Sequence, residues 1–226
     1  KGQIREGLRY VRGRPDLILV MFLVFVLGTF GMNFQLTMAL MATKVFDKGP
    51  GEYGLLGSIM AVGSLTAALL SARRAKPRLR VLLVALVGFT VSTALLAVAP
   101  SYVLFAVLLV PTGLFALTAL TTANAMVQIS VDPIMRGRVM ALYMAIFMGG
   151  TPVGAPVIGW VGDVWGPRWT IAIGTIAVGL SLVAVAVWVS RRQDVAVSFQ
   201  PRRRPWVRVR VRPPVPVDAP VAEAVR

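Results

Sequence analysis

The stretch that decides the fold runs from Asp132 to Arg168 and reads DPIMRGRVMALYMAIFMGGTPVGAPVIGWVGDVWGPR. Its charged residues lie in two short segments at its ends. The apolar run between them holds many helix-disrupting residues, namely Gly149, Gly150, Pro152, Gly154, Pro156 and Gly159. Such a run destabilises a helix in water, whereas in a membrane the neighbouring helices hydrogen bond the backbone groups that are freed. The stretch therefore predicts a short charged loop that leads into a membrane-spanning helix.

The composition of the whole chain also indicates a membrane protein. Of its 226 residues, 57% are hydrophobic and 15% are charged, whereas a soluble domain carries about 25% charged residues. Six apolar runs without Asp, Glu, Lys or Arg are long enough to cross a bilayer, for which about 20 residues are needed. We expect spans near Leu17–Met41, Tyr53–Leu70, Val81–Val98, Tyr102–Val127, Val139–Val161 and Trp169–Val189.

The basic residues predict the orientation of these spans. Twenty-one of the 24 Lys and Arg residues fall on one side, together with both termini. Because Lys and Arg accumulate in cytoplasmic loops, both termini should be cytoplasmic. The net charge of +15 would also suit a nucleic-acid partner. However, the charges flank apolar spans, so we expect the bilayer, and no nucleic acid, as the partner.

Three segments divide the chain. Residues 1–16 form an amphipathic cytoplasmic lead-in or linker, and residues 17–189 form the six-helix membrane domain. Residues 190–226 form a tail rich in Pro and Arg. Residues 207–212 alternate Val and Arg like a strand, but no partner strand is evident in the sequence. We therefore expect a disordered basic tail held near anionic lipid.

Two stripes of polar side chains are candidates for a substrate path. A polar group in hydrocarbon needs either a partner or a watery cavity, so each stripe can line a path or hydrogen bond a neighbouring helix. The first stripe follows a four-residue spacing, and Gln35 points elsewhere on the same span; in the second, the co-occurrence of Asn and Gln favours a path. The candidates are Thr29, Asn33, Thr37 and Gln35 in the first span and Thr118, Thr121, Asn124 and Gln128 in the fourth.

Small residues and loop charges supply a second set of candidates. Small residues at three- and four-residue spacing let helix backbones approach closely, and the packing candidates are Gly54, Gly57, Gly63, Gly150, Gly154, Pro156 and Gly159. Asp132 before Pro133 suits a helix N-cap. Arg136 and Arg138 follow one turn later, where they either form state-dependent ion pairs that gate the protein or simply anchor it. Asp163 and Arg168 are expected to pair across the outer turn.

The sequence lacks the residues that most chemistry requires. It contains no Cys and no His, which removes disulfides, thiol chemistry and the commonest metal ligand. It has no GxxxxGK[ST] phosphate loop, and its nine acidic residues lie outside the spans. We therefore expect no catalytic residue, no metal, no cofactor and no enzymatic role.

Four segments resemble one family of transporters. Glu6–Leu17 leads into a span that holds Gly31–Gln35 (GMNFQ), and Tyr53–Ser58 (YGLLGS) opens the next span. Gln128–Tyr143 (QISVDPIMRGRVMALY) and Gly150–Arg168 supply the other two segments. Together they resemble helices seven to twelve of a bacterial major facilitator superfamily transporter, in the branch similar to macrolide-efflux and siderophore-exporter proteins.

The resemblance implies a fold and a function. The fold would be an all-α polytopic membrane protein whose six helices form a 3+3 inverted repeat, half of a twelve-helix transporter. The function would be secondary active efflux of small amphipathic or hydrophobic compounds, such as drugs or siderophores, across the bacterial inner membrane by alternating access. The N-terminal six-helix half would lie on the same full-length chain or on a separate subunit. The alternatives are a non-transporting membrane subunit or scaffold, and a non-functional remnant of a truncated transporter gene.

Overall fold

A computed structural model describes residues 3–74, 77–192, 196–199 and 207–210. Six helical segments are long and apolar enough to cross a membrane, and we number them as spans 1 to 6: Pro15–Val45, Pro50–Ala72, Leu79–Ala97, Tyr102–Ser130, Pro133–Val164 and Pro167–Trp188. The predicted number of spans is confirmed, and each prediction overlaps its span. The fold class is confirmed as an all-α membrane domain of six spans.

The helices themselves are named in chain order. Helix α1 (Gln3–Arg12) precedes span 1, which consists of α2 (Pro15–Val26), a π-helical segment (Leu27–Gly31), α3 (Phe34–Leu40) and a second π-helical segment (Met41–Val45). Spans 2 to 5 are α4 (Pro50–Ala72), α5 (Leu79–Ala97), α6 (Tyr102–Ser130) and α7 (Pro133–Val164), and span 6 lies in α8 (Pro167–Arg192). The spans alternate in direction, so α1, the α4–α5 turn and the α6–α7 turn share one side, here called the basic face.

Span 1 is not the continuous helix that the four-residue spacing of its polar stripe predicted. The first π-helical segment ends at Gly31. Asn33, with φ −86° and ψ 36°, then stands at the N-cap position of a new helix. The Asn33 side chain bridges the break, because its Nδ2 donates to the Thr29 carbonyl oxygen at 2.7 Å. The side chain thus supplies a hydrogen bond to a backbone group at the point where the helical ladder is interrupted.

Spans 2 and 4 are in direct backbone contact. A methyl group on Gly63 would overlap the Val110 carbonyl oxygen, and one on Gly113 would overlap the Met60 carbonyl oxygen. Ser64 Oγ donates to the Gly113 carbonyl oxygen at 3.4 Å. Glycine on both helices therefore permits an approach that any larger side chain would prevent.

Spans 5 and 1 repeat this arrangement. A Cβ on Gly150 would lie 2.5 Å from Thr29 Oγ1, and one on Gly28 would lie 2.8 Å from the Phe147 carbonyl oxygen. Thr151 Oγ1 donates to the Gly28 carbonyl oxygen at 3.4 Å. Each contact between spans 2 and 4 thus has a counterpart between spans 5 and 1.

A third pair of contacts completes the correspondence. Gly88 of span 3 packs against the ring of Phe115 in span 4, and Gly174 of span 6 packs against the Phe30 carbonyl oxygen in span 1. Spans 1–3 and 4–6 are therefore equivalent units. Because each unit has three spans, the second begins on the opposite side of the membrane, as in the inverted repeat that the resemblance implied.

The tail differs from the expectation in one respect. Val207–Arg210 pairs in antiparallel register with Ala196–Phe199 as strands β2 and β1. The expectation that the alternating segment lacks a partner strand is therefore wrong. The partner was missed because Ala196–Phe199 is short and has no charge alternation. The other residues of the tail after Arg192 lie outside the described part of the chain, so the predicted disorder stays a prediction there.

The glycine contacts predict opposite effects for two matched substitutions in α7. Gly154→Ala places a methyl group against the Thr29 carbonyl oxygen, whereas no atom lies within 4 Å of a Cβ at Gly159. Overpacking costs about 1–3 kcal/mol, and replacing a helical Gly by Ala otherwise gains up to about 1 kcal/mol. Thermal unfolding of the purified protein should therefore shift down for Gly154→Ala and stay level or rise for Gly159→Ala. Equal shifts would contradict the helix contact.

Candidate functional site

An open cavity lies between spans 4 and 5. Its volume is about 280 Å³, and it is lined by Leu120, Thr121, Asn124, Tyr143, Met144 and Phe147. We call it the α6–α7 cavity. No charged side chain lines it. An apolar cavity with a few converging polar groups is the usual form of a small-molecule site.

Asn124 is the centre of the polar wall of this cavity. Gln128 Nε2 donates to Asn124 Oδ1 at 2.5 Å, and Tyr143 of α7 lines the same cavity. The hydroxyl of Thr121 donates to the Leu117 carbonyl oxygen at 2.8 Å, within its own helix. Asn124 of α6 and Tyr143 of α7 therefore place an amide and a phenol in the lining of one cavity.

The structure separates the members of the second polar stripe. Thr121 and Asn124 line the α6–α7 cavity, and Gln128 reaches it through its bond to Asn124. Thr118 is buried and lines a different cavity, beside α5. Sequence reasoning missed Tyr143, although a phenol in an apolar span was a usable signal, since its hydroxyl needs a partner there.

The first polar stripe lies in the interior. Thr29, Asn33 and Thr37 are buried, whereas Gln35 is exposed. Asn33 and Thr37 border a cavity of about 20 Å³ between spans 1, 3, 4 and 6, which is large enough for a single water molecule. The Thr29 hydroxyl faces Gly150 and has no hydrogen-bond partner among the described residues. The buried members of the stripe thus lie between helices, and no residue of the stripe lines the α6–α7 cavity.

Helix α1 is held against the α6–α7 turn by a cluster of polar contacts. Arg138 pairs with Glu6 at 2.8 Å, and the Tyr10 hydroxyl donates to Asp132 Oδ2 at 3.1 Å. Arg14 Nη2 donates to the Ser130 carbonyl oxygen at 3.2 Å. We call these contacts the α1 cluster. It ties the lead-in to the second three-helix unit, at the turn between spans 4 and 5.

Of the two expectations about the charged loop residues, the N-cap position of Asp132 is confirmed and the pairing of Asp163 with Arg168 is wrong. Asp132 does stand at the N-cap of α7 before Pro133, but its carboxylate makes no cap hydrogen bond, because Tyr10 occupies it.

Asp163 and Arg168 do not pair with each other. Asp163 pairs with Lys44 at 3.6 Å, while Arg168 Nη1 donates to the Ala97 carbonyl oxygen at 2.9 Å and so caps the C-terminus of α5. Both have partners from other spans that spacing along the chain does not reveal.

The packing candidates fall into two groups. Gly63, Gly150 and Gly154 are in close contact with neighbouring helices. The other three glycines have no described atom within 4 Å of a Cβ, and these are Gly54, Gly57 and Gly159. Pro156 is exposed.

The exposed faces of spans 2 and 5 are the least covered of the fold. In an apolar stretch of 18 residues from each span, only 17% is buried in span 2 and 22% in span 5, compared with 61% in span 1. The exposed side of α4 carries Gly54, Ser58, Ala61 and Thr66 between exposed aliphatic residues, namely Leu55, Val62, Leu65, Leu69 and Leu70. Small and weakly polar residues of this kind are typical of helix–helix interfaces in membranes.

A family comparison agrees with this architecture. The family model of the Major Facilitator Superfamily matches residues 4–222. The chain belongs to the major facilitator superfamily. No curated protein and no solved structure gives a significant match. Members of this superfamily are secondary membrane transporters whose substrates are small molecules, and the six spans of this protein agree with such a role.

The pair of Arg138 and Glu6 in the α1 cluster can be tested by substitution. Arg138→Gln removes the pair with Glu6, and an exposed pair contributes about 0–1 kcal/mol. Hydrogen exchange in α1 should therefore accelerate by up to about fivefold. Arg136→Gln is the matched control, because Arg136 is exposed and pairs with no described carboxylate. If both variants exchange at the wild-type rate, α1 does not depend on this pair.

Proposed function

We propose that the protein exports small neutral or amphipathic compounds, such as drugs or siderophores, as a secondary active transporter that works by alternating access. The observation that carries this proposal is the α6–α7 cavity, where the Asn124 amide and the Tyr143 phenol converge in an apolar, uncharged wall. Such a wall offers hydrogen bonds and apolar contact but no counter-ion. It therefore suits compounds that are themselves largely apolar.

The path is proposed to follow span 4. Asn124 contacts the substrate, Gln128 orients its amide through the 2.5 Å hydrogen bond, and Thr121 borders the apolar floor. The buried Thr29, Asn33 and Thr37 would act beside the path, where the break in span 1 allows the helix to change shape. Gln35 is exposed on that span, and the proposed path does not include it.

The proposed transporter requires a second six-helix half. Spans 2 and 5 together expose Gly, Ser, Thr and Pro residues. Residues of this kind are typical of helix–helix interfaces and not of lipid-facing surfaces, which argues for a protein partner on both faces. We infer that the N-terminal half, on the same chain or on a separate subunit, covers them. The α6–α7 cavity is bordered by span 5, so this placement would close it between the halves. Both termini would be cytoplasmic in a bacterial inner membrane, with Asp132, Arg136 and Arg138 on the cytoplasmic side and Asp163 and Arg168 outside.

Transport by Asn124→Ala tests the path. Loss of one hydrogen bond to a buried partner costs about 1–1.5 kcal/mol, so efflux of a fluorescent amphipathic dye from membrane vesicles should fall by about tenfold. Gln35→Ala is the matched control, since it also removes an amide side chain from a span but lies away from the α6–α7 cavity. Thermal unfolding verifies that both variants are folded. Unchanged efflux by folded Asn124→Ala would refute the assignment.

Tryptophan substitution tests the partner surface. A Trp at Ala61 of α4 would obstruct the proposed helix interface, whereas a Trp at Val91 of α5 would enter lipid. We expect Ala61→Trp to abolish efflux and Val91→Trp to retain most of it, because both positions are exposed in the six-span domain. Equal tolerance at the two positions would contradict docking of a second half on span 2.

A further inference from the structure

A second open cavity lies on the basic face, and it shares no lining residue with the α6–α7 cavity. It has a volume of about 290 Å³ and lies between α4, α5 and α6. We call it the α4–α5 cavity. Its apolar wall is formed by Leu70, Val81, Val84, Ala85, Leu114 and Phe115, and Thr118 is the polar residue at its floor. Arg74 and Arg80 complete the lining at the ends of their helices.

The cavity has the geometry of a site that spans the membrane interface. Arg80 lies in the first turn of α5, and Ala85 lies five residues further along the same helix. At 1.5 Å per residue, this separation corresponds to about 7.5 Å. The lining therefore changes from cationic to fully apolar over a distance comparable to that between a phosphate and the start of an acyl chain.

The arginines of this cavity have no acidic partner. Among the described residues, the basic face carries three carboxylates, and each is already occupied: Glu6 by Arg138, Asp16 by Arg14 and Asp132 by Tyr10. No described carboxylate pairs with Arg74 or Arg80. Two exposed guanidinium groups beside an apolar cavity are thus available to an anion from outside the described chain.

The start of α5 adds a second attraction for an anion. Arg78 stands at its N-cap with an extended backbone and makes no side-chain cap hydrogen bond. The first N–H groups of the helix are therefore left for other acceptors. A helix N-terminus attracts negative charge, and phosphate in particular. The Arg80 side chain lies in the same helical turn.

The apolar wall continues along a surface that suits lipid. Beyond Val84, α5 exposes an aliphatic stripe that consists of Val87, Val91 and Leu95. This stripe contains no Gly, Ser, Thr or Pro, in contrast to the exposed side of α4. Its composition matches hydrocarbon, because aliphatic side chains and acyl chains are equally apolar. An acyl chain that enters the α4–α5 cavity can therefore continue along α5.

We propose that the α4–α5 cavity binds an anionic phospholipid, with Arg74 and Arg80 holding its phosphate and with the wall formed by Leu70, Val84 and Phe115 holding an acyl chain. Basic pockets between membrane helices bind anionic headgroups in this way. The arginines come from spans 2 and 3, and Phe115 comes from span 4. The lipid therefore fastens the two three-helix units together at the basic face.

Lipid binding to the purified, delipidated protein tests the proposal. Binding of phosphatidylglycerol, measured by native mass spectrometry, should weaken about tenfold or more in the Arg74→Gln/Arg80→Gln variant. The matched control is Arg12→Gln/Arg136→Gln, which removes the same two charges from exposed positions on the basic face. The control should bind like the wild type. Equal weakening in both variants would mean a diffuse charge effect and would overturn the site.

Two further measurements identify the ligand and protect the test against misfolding. Phosphatidylcholine should bind at least tenfold more weakly than phosphatidylglycerol. Inorganic phosphate at 10 mM should not displace phosphatidylglycerol. Displacement by phosphate would show that the cavity is a site for free anions and would refute lipid binding. Ala85→Phe fills the apolar part without changing charge, and it should weaken phosphatidylglycerol binding severalfold. If Ala85→Phe binds like the wild type while its unfolding temperature is unchanged, the acyl chain does not enter the cavity.

Discussion

The fold depends on the contact between Gly154 of α7 and the backbone of Thr29 in span 1. At this point a helix surface without side chains meets a segment of span 1 whose ladder is already widened into a π-helix. Carbonyl groups that lack a hydrogen-bond donor are costly in hydrocarbon. Asn33 and Thr151 donate to two carbonyl groups of this segment, those of Thr29 and Gly28 respectively. The break in span 1 and the glycines of α7 are therefore two parts of one arrangement.

The same arrangement occurs between spans 2 and 4, which makes the domain a repeat. There, Ser64 takes the place of Thr151, and Gly113 takes the place of Gly28. The two contacts differ in one respect: α6 continues as a helix through its contact, whereas span 1 is interrupted. The repeat is thus symmetrical in packing but not in local regularity. The interrupted copy is the one in which a change of shape needs the fewest broken hydrogen bonds.

The outer surface has three kinds of face, and their compositions separate their roles. The face of α4 mixes Gly, Ser and Thr with Leu and Val, the face of α5 is aliphatic, and the α6–α7 cavity is apolar with an amide and a phenol. These compositions favour a protein partner, lipid and a small molecule, respectively. Hydropathy alone does not distinguish the first two faces, since the spans that carry both have high mean hydropathy. The distinction depends on which residues point outward.

The sequence by itself determined the number of spans, the side on which the basic residues gather and the polar character of α6. These features are local, because transfer of about 20 apolar residues into a bilayer depends on composition and length alone. Only the tertiary structure decided the break in span 1, the separation of Thr118 from Asn124, and the partners of Asp163 and Arg168. The partners of these two charged residues come from segments distant in the chain, such as Lys44 and Ala97. Periodicity within one helix contains no information about which helix lies beside it, because that choice is made by backbone contacts at glycines such as Gly63 and Gly154.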